Sequence, residues 1–196
     1  MGNDVLERWL EELIATPGLT AIGSVAQAKP MLVRDALKAA PVLRDANGAI
    51  VDVGSGTGSP GIPLAVAFPD REFVLLESQQ RKCDFLRRVA RDLPNVAIVC
   101  GRAEEQPIDE FGVALAKALA KPPVAAELCL PLVRPGGVVI IWIGKNADTS
   151  RIAGVVERLG GSLEGEVNGL LVLRKLSPTP AGFPRRAGMA NKRPLA

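Results

Sequence analysis

The chain contains no histidine and no tyrosine among its 196 residues. Imidazole general bases, histidine-activated nucleophiles and most transition-metal sites are therefore excluded. Any catalysis must use chemistry that needs little acid–base help. The three cysteines, Cys83, Cys100 and Cys129, are widely spaced and form no C-x-x-C. They are expected to be reduced, structural thiols of a cytoplasmic protein. No apolar run reaches the roughly 18 residues of a membrane span. The first 15 residues carry Asp4, Glu7, Glu11 and Glu12 against Arg8, unlike the basic start of a secretory leader.

Hydrophobic residues make up 47% of the chain, enough for a substantial core. The length fits one α/β domain with a short extension. The net charge of +3 is unevenly placed. No acid follows Glu166, whereas Arg174, Lys175, Arg185, Arg186, Lys192 and Arg193 all do. Such a tail either neutralises phosphates or is a solvated end.

Apolar spacing predicts an amphipathic helix over 4–15 and a second over 25–40, kinked or divided at Pro30. Alternation follows. Strands are expected at 50–53, 72–77, 96–100, 112–116 and 138–143, with helices at 61–68, 80–93, 122–130 and 149–159 between or after them. Two final strands, 161–167 and 170–176, flank the hairpin signal Asn168-Gly169. The pattern predicts an α/β fold with a mostly parallel sheet and an antiparallel last strand. Its expected divisions are a helical extension over 1–45, the α/β domain over 46–178 and a basic tail over 179–196.

Between the first strand and its helix lies Gly54-Ser55-Gly56-Thr57-Gly58-Ser59-Pro60-Gly61. Glycine lets backbone approach a nucleotide-like ligand closely. Glu77 closes the next strand. A carboxylate there accepts both ribose hydroxyls, unless it is merely a surface acid. A dinucleotide fingerprint needs glycine where Ser59 stands. Pro60 and Pro63 lack N–H groups, which weakens a pyrophosphate cradle. These features favour S-adenosylmethionine over a dinucleotide, and hence a Rossmann-like class I methyltransferase fold with N-terminal helices. After the third strand, Gly101-Arg102-Ala103-Glu104-Glu105 sits where an adenine edge would lie. It reads either as an adenine contact at Ala103 and Glu104, with Arg102 aimed at an anion, or as the cap of a short helix. The basic residues 81, 82, 87, 88 and 91 share one helix face, a solvated face or an RNA contact.

The stretch Val51–Leu64, with its Pro-Gly-x-Pro-Leu continuation, resembles the first motif of the RsmG (GidB) family of bacterial 16S rRNA guanine-N7 methyltransferases. The likeness continues through Leu75-Leu76-Glu77-Ser78, Arg81–Leu86, Gly101–Glu105 and the tail Phe183–Gly188 with Lys192-Arg193-Pro194-Leu195. It implies an S-adenosylmethionine site formed by Gly54, Gly56, Gly58, Ser59, Glu77, Ala103, Glu104 and Lys117. Arg102, Lys145, Arg185 and Arg186 would then engage RNA, with Lys117 near the base. The implied partner is 16S ribosomal RNA or the assembling small subunit, with no metal and no membrane. This chain departs from the family pattern at four places. Lys117-Ala118-Leu119-Ala120 replaces an Arg-Ala-x-Ala segment, and Arg34-Asp35 replaces an Arg-His pair. Ile143-Gly144-Lys145 inverts Leu-Lys-Gly, and Gly18-Leu19-Thr20 replaces Asn-Leu-Thr.

Guanine N7 carries a free lone pair, so its methylation removes no proton before attack. A chain without histidine or tyrosine can perform that step. Three other readings stay open: a related methyltransferase acting on another RNA or a small molecule, an NAD-dependent oxidoreductase, and a non-catalytic RNA-binding protein of the same fold.

Overall fold

The computed structural model describes residues 2–144 and 146–195. Five strands alternate with helices, as the apolar pattern predicts: β1 (Ile50–Val53), β2 (Phe73–Glu77), β3 (Val96–Cys100), β4 (Phe111–Ala116) and β5 (Val133–Trp142). Two more, β6 (Gly161–Val167) and β7 (Leu170–Lys175), complete a seven-stranded sheet of order β3-β2-β1-β4-β5-β7-β6. The first five are mutually parallel, and β7 runs antiparallel between β5 and β6. The antiparallel strand is therefore interior, and β6 forms the edge.

Central strands are covered on both faces, which explains their near-continuous apolar sequences. Helices α4 (Gly61–Ala67) and α5 (Gln80–Val89) follow β1 and β2, and α6 (Pro122–Cys129) and α7 (Ile152–Arg158) follow β4 and β5. The order reverses at β1, whose neighbours are β2 and β4. The carboxyl ends of strands at such a reversal form the crevice where open α/β sheets bind ligands. Loop 54–60 and residues after Glu77 and Ala116 lie at that edge.

The N-terminal region is part of this architecture. Helix α1 (Gly2–Ala15) buries Trp9, Leu10 and Leu13 against Ile62, Phe85 and Leu86. The indole N–H of Trp9 donates to Thr57 O at 2.8 Å, tying α1 to the tip of the glycine loop. The helical region expected over 25–40 is divided. Its pieces are α2 (Val25–Ala28), a π-helical turn over Lys29–Arg34, a 3-10 turn over Ala36–Ala39 and α3 (Ala40–Asp45). Pro30 lacks an N–H and cannot sustain an α-helix through its own position. Arg71 then fastens the end of this region, donating to the carbonyls of Leu43, Ala46 and Gly48 at 2.7–3.0 Å.

The cysteine expectation is corrected. Cys83, at the start of α5, and Cys100, at the end of β3, form a disulfide with Cα atoms 5.9 Å apart. The β2–β3 register sets Cys100 opposite Glu77, which brings it beside the helix that follows β2. Cys129 remains a buried free thiol, and burial pushes its pKa well up.

The tail also packs. Lys175 is fully buried and donates to Leu130 O, Leu159 O and Thr179 Oγ1, with Asp109 at 3.6 Å. Asp109 in turn accepts from Thr179 N and Oγ1. Beyond it, Phe183 and Leu195 pack on the core, and a short helix α8 (Met189–Lys192) closes the chain.

Candidate cofactor and substrate site

The glycine loop is built around one buried acid. Asp52 lies in β1, a strand buried at every position. Its Oδ2 accepts from Ser55 Oγ at 2.6 Å and from Gly61 N at 3.0 Å, clamping both ends of the loop. Glycine at 61 lets this packing stand, because a Cβ there would lie 2.2 Å from Leu75 Cδ2 and 2.8 Å from Asp52 Oδ2 and push both side chains aside. Asp52 was not among the site residues predicted from sequence. The available signal was an acid inside an apolar strand, which must find partners to be buried.

Asp52 Oδ1 has no hydrogen-bond partner, and burial raises the carboxyl pKa to about 6. The folded state therefore holds this proton more tightly than the unfolded chain. That contribution is full below the ordinary value near 3.8 and is lost as pH rises through about 6. The shift corresponds to about 3 kcal/mol. Asp52→Asn removes it. The stability of wild type relative to this variant is expected to fall by about 2–3 kcal/mol from pH 4 to pH 7, read by urea unfolding. A pH-independent difference would place the titration elsewhere.

Gly54, Gly56 and Gly58 all adopt positive φ, at 69°, 60° and 105°. At Gly56 an added Cβ would meet nothing closer than 3.8 Å, so this side of the loop faces open space. Glu77 supports the loop from behind. Its Oε2 accepts from Gly56 N at 2.9 Å and its Oε1 from Gln79 N at 2.8 Å. The residue is only 5% exposed. Each oxygen keeps a second lone pair for a ligand hydroxyl. An open glycine backbone beside a two-oxygen acceptor fits the ribose and methionine portions of S-adenosylmethionine.

Ala103 and Glu104 fall in a 3-10 turn directly after β3, near the end of Glu77. Glu104 Oε1 accepts from Gly188 N at 2.7 Å, so one of its oxygens fastens the tail. Ser59 Oγ donates to Leu32 O at 2.8 Å. Lys117, after β4, lies 2.8 Å from Asp35 Oδ2 and also donates to Met31 O and Ser59 Oγ. All three of its N–H donors are thus spent on protein groups.

Arg185 is held mainly within the protein. Its Nε and Nη2 meet Glu127 Oε1 and Oε2 at 2.6 and 2.7 Å, and Nη2 also donates to Arg193 O. This planar fork is a structural pair, which leaves only the Nη1 edge of Arg185 for any contact with RNA. Arg174 is likewise held by Glu164, and Lys175 is buried. Arg102, Arg186, Lys192 and Arg193 remain exposed. Lys145 lies outside the described residues. On the basic face of α5, Arg81 donates to Pro17 O, and Arg87 and Arg88 pair with Asp84 and Glu12. That face is largely committed to the protein itself.

Beside Lys117, the loop after β4 and the segment after β5 enclose a cleft of about 990 Å³. Ala118, Lys121, Pro122, Trp142 and Arg151 are among its lining residues. Trp142 Nε1 donates to Asp35 O at 3.0 Å, leaving part of its ring exposed. The site thus has two compartments along the carboxyl edge: the glycine loop with Glu77, and this cleft. Among the described residues no group of three His, Cys, Asp or Glu could hold a metal, and no helix is long and apolar enough to cross a membrane.

The profile of the GidB family, described as rRNA small subunit methyltransferase G, matches residues 4–153. The protein named ribosomal RNA small subunit methyltransferase G of Acetivibrio thermocellus is 33% identical, covering 98% of this chain and 86% of its own length. Its namesake in Moorella thermoacetica is 38% identical over 74% of this chain and 69% of its own. Among solved structures, an O-methyltransferase family protein of Burkholderia thailandensis superposes with a TM-score of 0.58 at 17% identity, covering 80% of this chain and 58% of its own. The Thermus thermophilus 16S rRNA N2 G1207 methyltransferase, in complex with AdoMet and guanosine, gives 0.53 at 16% identity, over 68% and 36%. These two likenesses establish the class I methyltransferase fold.

Proposed function

This chain belongs to the rRNA small subunit methyltransferase G family, and we propose on that footing that it transfers a methyl group from S-adenosylmethionine to N7 of a guanine in small-subunit (16S) ribosomal RNA. The observation that carries this reading is the buried Glu77 carboxylate bracing an open-sided glycine loop where the strand order reverses. When bound, the cofactor supplies an electrophilic methyl on a sulfonium centre, already joined to a good leaving group.

The chain's own residues bind and align. Glu77 accepts the ribose hydroxyls with its remaining lone pairs. Ala103 and the second oxygen of Glu104 meet the adenine edge. Gly54, Gly56, Gly58 and Ser59 border the methionine portion. The guanine enters the cleft beside Trp142, splayed out of its stack, because a stacked base cannot be reached. N7 needs no base to remove a proton. The work of the protein is therefore in-line alignment and exclusion of water. Arg102 and Arg186 meet RNA phosphates, as does Lys145 by resemblance. The cytoplasm, where ribosomal subunits assemble, is the compartment this reading implies.

With Arg185 paired to Glu127, the electrostatic contribution of the tail rests chiefly on Arg186, Lys192 and Arg193. Their joint replacement by alanine is expected to flatten the log–log salt dependence of RNA binding by roughly 2, at about 0.7 per single-strand phosphate. An unchanged slope would remove the tail from the RNA interface. The function itself is tested by the modified-nucleoside profile of small-subunit rRNA from cells with and without the protein. A 7-methylguanosine present only with the protein is expected, and identical profiles would overturn the reading.

A further inference from the structure

Segment Lys29–Asp35 crosses the carboxyl edge of the sheet and is bonded to the exits of three strands. Ser59, after β1, donates to Leu32 O. Lys117, after β4, donates to Met31 O. Trp142, ending β5, donates to Asp35 O. The segment is one π-helical turn, closed by Asp35 N donating to Pro30 O at 3.2 Å. Such turns are rare and recur at functional positions.

An exposed ion pair ties Lys29 to Glu7 of α1, and a part-buried one holds the other end of the turn. Asp35 Oδ2 lies 2.8 Å from Lys117 Nζ, with side-chain exposures of 26% and 16%. Asp35 Oδ1 lies 2.7 Å from Lys38 Nζ, so both oxygens are engaged. Partial burial lifts the Asp35–Lys117 pair above an ordinary surface bridge. Lys117 stands between the two compartments of the site, touching Ser59 of the glycine loop on one side. Its neighbour Ala118 lines the cleft on the other.

We propose that Asp35 and Lys117 form a latch that holds segment Lys29–Asp35 against the exits of β1, β4 and β5 beside the site, with Asp35 as a positioning residue for methyl transfer. The proposal rests on the methyl-transfer reading above. Lys117 then acts through this segment and not by touching RNA, since its donors are already used. The two roles differ in sign. If Lys117 touched RNA, removing the Asp35 charge would free it and tighten RNA binding, while removing Lys117 would loosen it. If the pair is a latch, losing either partner has the same consequence.

The test uses the full chain as Asp35→Asn, Lys117→Met, the double variant and Asp35→Glu. Amide hydrogen exchange over 29–35 is measured without ligand, and kcat and KM with small-subunit RNA and labelled methyl donor. Each single variant is expected to speed exchange of the segment about tenfold, the scale of one lost charged hydrogen bond, with β1 and β4 unchanged. Each should lower kcat about tenfold and leave the KM for RNA within about twofold. The double variant should be no worse than the poorer single, because the two act as one unit. Asp35→Glu should recover most of kcat. Unchanged exchange in both single variants overturns the latch, as does a KM for RNA that falls in Asp35→Asn and rises in Lys117→Met. A wild-type protein that transfers no methyl to RNA refutes the function instead, and exchange alone then decides the latch.

Discussion

Arg185→Met is expected to destabilise the protein by about 3–5 kcal/mol, the cost of stranding a buried charge. Glu127 is 3% exposed and sits on α6 among Ala125, Ala126 and Cys129 of the core. Both of its oxygens are satisfied by the Arg185 fork. Methionine fills space but leaves the carboxylate without its cation. The same substitution frees the tail, since Arg185 also holds Arg193 O. Replacing both partners, as Arg185→Met with Glu127→Met, should recover most of the loss, because an apolar pair strands no charge. Urea unfolding of the three proteins decides this. A variant as stable as wild type that has lost only RNA affinity would return Arg185 to the RNA interface.

Glu77→Gln should weaken S-adenosylmethionine binding roughly 100-fold by calorimetry, from the loss of charge-assisted hydrogen bonds worth about 1.5–3 kcal/mol each. Two effects combine. The glutamine amide places an N–H toward either Gly56 N or Gln79 N, where a carboxylate oxygen now accepts. It also leaves one acceptor where the ribose diol requires two. Unchanged affinity would deny Glu77 its ribose role and leave it only the bracing of the loop.

Local signals were legible in the sequence, and pairings between distant segments were not. The glycine loop and Glu77 stand out because strand, turn and acid lie within one β–α–β unit. The parallel strands are marked by buried apolar runs. The strand expected at 138–143 begins already at Val133, as part of β5, with a register shift against β4 between Phe111 and Val113. Pro30 signals a kink but not the π-helical turn it produces. The roles of Asp35, Glu127 and Trp9 each depend on a partner far along the chain, Lys117, Arg185 and Thr57. A basic tail looks the same in sequence whether its cations face phosphates or Glu127, Glu164 and Asp109. The Cys83–Cys100 bridge was hidden for the same reason, because only the β2–β3 register and the start of α5 bring the two together.

The most direct measurement is transfer from methyl-labelled S-adenosylmethionine to unmodified small-subunit rRNA by the purified chain, followed by digestion to nucleosides. One labelled product, 7-methylguanosine, is the result expected from a site that aligns a lone pair and removes no proton. Label at another nucleoside, or no label despite cofactor binding, would contradict it.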